Sequence, residues 1–262
     1  MGHYYSQLDD GVVIPRHFVL NAKQSKEQGK EVLRPTRITD VRKWLKEGQN
    51  VAPSVTTAMD VLAKHALINW KIEQHIEQAY LLDPANYQHS WMYQDAVRRN
   101  TDEAMEKAPQ AGTDFHKEAE LFMSSSVVDE SLFTHFDLLH KANDLLYEKT
   151  ESDIWNTEIN FVSQLGYGGQ VDLTNSEDWV IDYKTKQLAE KFKPGRMAYD
   201  DHRIQLAAYR EGIGMPKARC ANVFVCLEDG QIDFHEHKEE DLQKGWSIFQ
   251  HALAIWKLQA GL

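Results

Sequence analysis

The sequence predicts a mixed α/β protein in which a mostly helical N-terminal half, residues 1–110, precedes a sheet-containing core, residues 111–262. Three observations carry this reading. Apolar residues recur at helical spacing from Met59 to Ile76 and again from Trp91 to Lys107. After residue 157 the period changes to two, in Glu158–Val162, Gln170–Thr174 and Trp179–Lys184. Helical patterns then alternate with strand patterns to the end of the chain, where Glu239–Gln259 reads as a long amphipathic helix.

Taken in order, residues 1–50 read as loops around Pro15 and Pro35, with one short helix at Ile38–Glu47. Pro53-Ser54-Val55-Thr56-Thr57 offers capping hydroxyls ahead of Met59–Ile76, a helix whose apolar residues, Trp70 among them, read as core. Pro109 and Gly112 predict a break, with a new helix from Thr113 or Asp114 to Met123 and another over Ser131–Lys149. Asn175-Ser176-Glu177-Asp178 joins two strands as a hairpin. A helix over Asp201–Ile213 leads to a second hairpin, Arg219–Leu227 and Gln231–His235, turning at Glu228-Asp229-Gly230.

Composition narrows the function classes. No apolar run reaches the roughly 18–20 residues that span a bilayer, and the first residues lack a signal-peptide layout, so a cytoplasmic protein without membrane partners is expected. Cys220 and Cys226 lie on one strand, about 20 Å apart if extended, too far for a disulfide. Two cysteines also cannot supply the four thiolates of an iron–sulfur cluster. The net charge is −11, yet Lys184–Arg219 carries nine Lys/Arg against four acids, leaving −16 on the rest. Such a local basic surface suits phosphate contacts made near one site.

The chemistry concentrates in Val180-Ile181-Asp182-Tyr183-Lys184. In a strand Asp182 and Lys184 point to one side and Tyr183 to the other. The hairpin partner holds Gly169 and Asp172, and a turn of three or five residues sets Asp172 opposite Asp182. Two carboxylates so placed repel unless a hard divalent cation such as Mg²⁺ or Mn²⁺ lies between them. A lysine beside them suits the negative charge that develops in phosphodiester hydrolysis. Upstream, His116 and Glu120 share a helical face, as do Gln205 and Tyr209 downstream. His235-Glu236-His237 reads as a solvent-facing strand end rather than a metal site.

In this order the pieces resemble the PD-(D/E)XK nucleases, specifically the RecB-like branch. The matching positions are Gly112/His116, Glu158, Gly169/Asp172, Asp182/Lys184 and Gln205/Tyr209, and Ser54–Thr57 looks like the element ahead of the nuclease helix in phage and mitochondrial members. The resemblance covers residues 53–227 and implies a restriction-endonuclease-like core, a mixed sheet flanked by helices. It implies that His116, Asp172, Asp182 and the Tyr183 backbone carbonyl hold Mg²⁺ or Mn²⁺, with Glu158 and Glu120 as weaker ligand candidates. Lys184 would be the catalytic lysine alongside Asp172 and Asp182. Gln205 and Tyr209 would contact DNA or brace the site, and Lys186, Arg203 and Arg210 would meet phosphates. The lack of an iron–sulfur cluster points to the cluster-free exonucleases that thread single-stranded DNA, with residues 54–110 doing the threading. A double-strand exonuclease, a flap endonuclease and an inactive DNA-binding module are the alternatives, and a replication or recombination partner is left open.

Overall fold

A computed structural model gives the fold. It describes residues 2–63, 65–124, 129–186, 189 and 192–262, and their side chains except at 65, 66 and 106–110. Five strands precede the helical segment: β1 (Tyr4–Gln7), β2 (Val13–Pro15), β3 (Phe18–Leu20), β4 (Leu33–Pro35) and β5 (Asn50–Pro53). Among them lie α1 (Ala22–Gln28) and α2 (Ile38–Lys46). The first 50 residues are therefore not chiefly loops. Strands of three or four residues are too short to show a period of two, and their pairing is long-range: β1 lies between β2 and β5, and β3 pairs only with β4.

Ser54 caps the short α3 (Val55–Ala58), its hydroxyl accepting the Thr57 N–H. After a 3₁₀ turn the chain enters α4 (His65–Leu81), so the helix expected over Met59–Ile76 is two pieces. Leu67, Ile68, Ile72 and Ile76 on α4 are exposed rather than core, because α4 packs chiefly on the next helix. That helix, α5 (Ser90–Ser124), runs through Pro109 and Gly112 and across the expected boundary at 110/111. A proline inside a helix costs about 3 kcal/mol. Buried anchors lie on both sides of it, Thr101 before and Phe115, Ala119 and Phe122 after. Packing outweighs the local break. Helix α6 (Phe136–Thr150) begins five residues later than the periodicity suggested, after a 3₁₀ turn at Glu130–Leu132.

The core follows the sequence closely. Strands β6 (Asn156–Ser163), β7 (Tyr167–Thr174), β8 (Trp179–Lys186), β9 (Arg219–Cys226) and β10 (Ile232–His237) form one sheet in the order β10-β9-β8-β7-β6. Only β8 and β9 are parallel, joined by a crossover containing α7 (Asp200–Gly212). The closing helix is α8 (Glu239–Ala260). On one face α7, α8 and α3 cover Val171, Val180 and Cys220. On the other α5 and α6 cover Trp179, Ile181, Tyr183 and Val223. This mixed sheet between helices, with a helical segment ahead, is the mixed α/β arrangement the sequence predicts. Both cysteines are free and buried. Among the described residues no helix is long and apolar enough to cross a membrane.

The two faces alternate along β8, but β7 breaks step. Val171 joins the α7/α8 core, and Leu173, two residues on, joins the α5/α6 core. Opposite this slip Glu158 takes φ +49°, between the pairs Thr157–Leu173 and Ile159–Val171. A left-handed glutamate inside a strand costs of order 1–3 kcal/mol and is held only by its surroundings.

Phe115→Ala should lower unfolding free energy by about 3–5 kcal/mol, as for a fully buried aromatic. Ile76→Ala, on the exposed face of α4, should change it by less than about 0.5 kcal/mol. Urea titrations of both variants check the contrast; equal losses would mean that α4 is covered.

Candidate metal and phosphodiester site

On β8 the apolar Val180 and Ile181 anchor the strand in both cores, and the next residues turn polar where the strand leaves β7. The antiparallel ladder between β7 and β8 ends at Leu173–Ile181. Its index sum is the expected one, so Asp172 and Asp182 lie one step beyond the last pair. There the Asp172 carboxylate takes the place of the ladder, its Oδ2 accepting the Tyr183 N–H at 2.8 Å. Tyr183 points away from Asp182 and Lys184, into the α5/α6 core.

Two constellations meet at this opening. The first is His116, Glu158 and Asp172, whose ligand atoms all lie within 4.8 Å of one another. His116 Nδ1 is 3.3 Å from Asp172 Oδ2. The second is Asp182–Lys184–Gln205–Tyr209. Lys184 Nζ lies 2.7 Å from Asp182 Oδ2 and 2.9 Å from Oδ1, and donates to Gln205 Oε1 at 3.2 Å. Gln205 Nε2 donates to the Tyr209 hydroxyl at 2.8 Å. Tyr209 is 7% exposed, so this pair braces Lys184 from within the fold.

The glycines expected in the motif have a steric role. A Cβ on Gly112 would stand 2.9 Å from Thr185 Oγ1, and one on Gly169 would stand 2.8 Å from a Tyr209 ring carbon. Their absence lets α5 approach the end of β8 and lets the Tyr209 ring lie on β7. A cleft of about 530 Å³ opens beside the first constellation, lined by Thr113, His116, Lys117, Glu120, Glu158 and Asp172. A larger hollow of about 850 Å³ lies elsewhere, between Asp129–Lys141 and Leu227–Gly230, and none of the expected site residues lines it.

The electrostatics are those of acids crowded without enough positive charge. Burial, then Asp172, Glu120 and Asp182, push the Glu158 carboxyl up to about 8. Asp172 is raised by burial and by Asp182, with His116 and Lys184 opposing. Burial alone would lower the Lys184 ammonium; Asp182 and Asp172 outweigh it and hold it raised. Carboxylate oxygens and an imidazole nitrogen form a donor set suited to Mg²⁺ and especially to Mn²⁺. The raised Glu158 is what such a set shows when no cation neutralises it. The residues fit the ion.

Several expected roles change. Arg210 is 2% exposed and donates to Glu239 at 2.7 and 2.9 Å and to the Ala218 carbonyl, so it is a buried strut and not a phosphate contact. Arg203 pairs with Asp200 and Asp241. Arg219 pairs with Glu236 and lies over Trp179. Three arginines of the basic window are thus paired with acids of the same chain. Lys186 lies over the Tyr199 ring, and Lys193 and Arg196 are exposed on the segment before α7; Glu190 and Lys191 of that window lie outside the described residues.

The structure adds three residues. Asn222, fully buried on β9, stands in register with Asp182 and donates to its Oδ2 at 2.6 Å. His237, expected to face solvent, is 8% exposed and bonds Asn222 Oδ1 through Nε2 at 2.7 Å. Tyr5 of β1 packs on Gly168 of β7, and burial, then Glu158 and Asp172, push its hydroxyl up to about 12. A single amide within the apolar run Ala221–Val225 was the one visible signal for Asn222.

No family model matches the chain, and no curated protein matches it. Among solved structures, an exonuclease candidate from Eubacterium rectale is 14% identical over 49% of this chain and 54% of its own, with TM-score 0.36. The matched part therefore spans about half that protein's length. An alkaline exonuclease from Laribacter hongkongensis is 14% identical over 57% of this chain and 81% of its own, with TM-score 0.34.

The Glu158 shift fixes a pH dependence. Its folded pKa of about 8 exceeds the ordinary 4.5, so between these values the folded state binds more protons than the unfolded chain. Stability of the metal-free protein should therefore fall as pH rises from about 5 to about 8. Glu158→Gln should flatten that fall, and Mn²⁺ should reverse it. Thermal melts in EDTA and in Mn²⁺ decide the matter; an identical pH slope in Glu158→Gln would refute the assignment.

Proposed function

We propose that this chain is a divalent-metal-dependent nuclease that hydrolyses DNA phosphodiester bonds, acting as an exonuclease on single-stranded ends. One observation carries the reading: two carboxylates and an imidazole converge within 4.8 Å beside a lysine that is held charged. His116, Glu158 and Asp172 would hold Mg²⁺ or Mn²⁺, with Asp182 and the Tyr183 carbonyl as further ligands and Glu120 at the mouth of the cleft. The ion would supply Lewis-acid polarisation of the scissile phosphate. Lys184 is the group placed to stabilise the charge that develops on the phosphate oxygens. Its fixed position comes from Asp182 on one side and Gln205, itself held by Tyr209, on the other.

The preference for single strands rests on α5. The same helix that carries His116 and Glu120 to the cleft continues back into the α4–α5 hairpin. A strand lying along that hairpin is led to the metal-binding residues. Phosphate contacts near the site are assigned to Lys186, Lys193 and Arg196, in place of Arg203 and Arg210.

The test is cleavage of end-labelled single- and double-stranded DNA with Mg²⁺, Mn²⁺ or EDTA. Lys184→Ala and Asp172→Asn should each cut the rate by about 100-fold or more while oligonucleotide binding changes only a few-fold. His116→Ala should raise the Mn²⁺ concentration needed for half-maximal rate. Wild-type protein that leaves both substrates intact in every metal would end the nuclease reading, and faster removal of duplex ends would end the single-strand preference.

A further inference from the structure

We infer that Asn222 and His237 are positioning residues that fix the Asp182 carboxylate in one orientation and so complete the metal site. The inference deepens the nuclease reading and rests on it. It starts from the parallel pairing of β8 and β9, which sets Asp182 directly beside Asn222. Both are buried, at 2% and 0% exposure, so neither side chain can rely on water. Asn222 Nδ2 donates to Asp182 Oδ2 at 2.6 Å and approaches the Asp182 backbone carbonyl at 3.3 Å.

The direction of this amide is fixed by chemistry. An ionised carboxylate only accepts, so Asn222 must turn its NH₂ toward Asp182 and its Oδ1 the other way. Oδ1 meets His237 Nε2 at 2.7 Å, and an amide oxygen only accepts, so Nε2 must carry the proton. The result is a directed chain across three strands, from His237 on β10 through Asn222 on β9 to Asp182 on β8. His237 reaches Asn222 diagonally, because the residue opposite Asn222 is His235.

The chain decides which oxygen Asp182 offers. Oδ2 accepts from Asn222 and lies 2.7 Å from the Lys184 ammonium, whereas Oδ1 accepts from Lys184 alone. With two lone pairs per oxygen, Oδ2 is saturated and Oδ1 keeps one for a cation. Asn222 would therefore leave Asp182 one oxygen for a cation and hold the carboxylate against rotation while Lys184 spans both oxygens. Groups that orient metal ligands in this way change metal affinity by roughly 10–100-fold when removed.

The experiment titrates Mn²⁺ into metal-free protein, following free Mn²⁺ by electron paramagnetic resonance, with DNA cleavage measured in parallel. Asn222→Leu, which keeps the branching but loses the donor, should weaken Mn²⁺ binding about 10-fold or more. His237→Leu should weaken it in the same direction, and His237→Gln, which retains a donor for Asn222 Oδ1, should restore binding to within about threefold of wild type. A packing role alone would leave Gln and Leu at 237 equivalent, and that result overturns the inference. Wild-type Mn²⁺ affinity in folded Asn222→Leu overturns it as well. If Asn222→Leu loses its circular dichroism spectrum, the two His237 variants decide. Wild-type protein that binds no Mn²⁺ and cuts no DNA removes the nuclease reading itself, an outcome distinct from active wild type with indifferent variants.

Discussion

The site depends on a single irregularity in the sheet, the slip of β7 at Asp172 against the left-handed Glu158. A regular antiparallel pair would send these neighbours to one face, either to the α7 side or to the α5 side. With the slip, Val171 and Leu173 serve opposite cores, and the two acids stand at the crossing between them. That is why Asp172 can meet His116 of α5 on one hand and the Tyr183 amide of β8 on the other. The conformation is unfavourable twice over, through a positive φ on a side-chain-bearing residue and through carboxylates gathered in a half-buried cleft. Nothing within the strand offsets this. A cation would offset the second cost, so the strain is intelligible as part of a binding site, whereas in a purely structural strand it would have no return.

Around that crossing the two faces of the sheet contribute different chemistry. The α5 face supplies the imidazole, because Gly112 lets the helix close on β8 and Phe115 locks it against Tyr183. The α7 face supplies the ammonium and its holders, because Gly169 admits the Tyr209 ring and Gln205 lies one turn before it. Asp182 belongs to this second face and is gripped from both sides, by Lys184 within its own strand and by Asn222 from the neighbouring one. The positions of these side chains are thus set by packed helices and paired strands, elements far stiffer than loops.

What could be read from sequence follows from the range of each interaction. Asp182 and Lys184 were legible because a period of two puts them together whatever the rest of the chain does. Asp172 was legible because a hairpin ladder has a constant index sum, and the observed pairs Leu173–Ile181 and Thr174–Val180 obey it. Asn222 was hidden, since its register with Asp182 is set by a crossover of about thirty residues. His237 was hidden for the same reason, one strand further out. The arginines misled because their partners are distant: Glu239 for Arg210 and Asp241 for Arg203. A cluster of positive charge in sequence is not a positive surface once α8 brings its acids across. The five N-terminal strands were missed because each is too short to display periodicity, and their place beside β7, with Tyr5 packed on Gly168, is set by long-range pairing.

These intramolecular pairs also change how an acidic protein, at net charge −11, would hold a polyanion. With Arg203, Arg210 and Arg219 engaged by acids of the same chain, these three have less charge to exchange for counterions. Lys186 ends β8 and lies over the Tyr199 ring, and Lys193 and Arg196 are exposed on the segment before α7. Against them stand Glu120, Glu158, Asp172 and Asp182 in and around the cleft. Without a cation the negative charge of this cluster would oppose a phosphate at the position where Lys184 could act on it. A divalent ion held by His116, Glu158 and Asp172 would bring the largest positive charge into this region and offset that negative charge. On this account the metal has two separable roles in the proposed reaction. It would polarise the phosphate, and it would offset the negative charge that otherwise opposes a phosphate in the cleft.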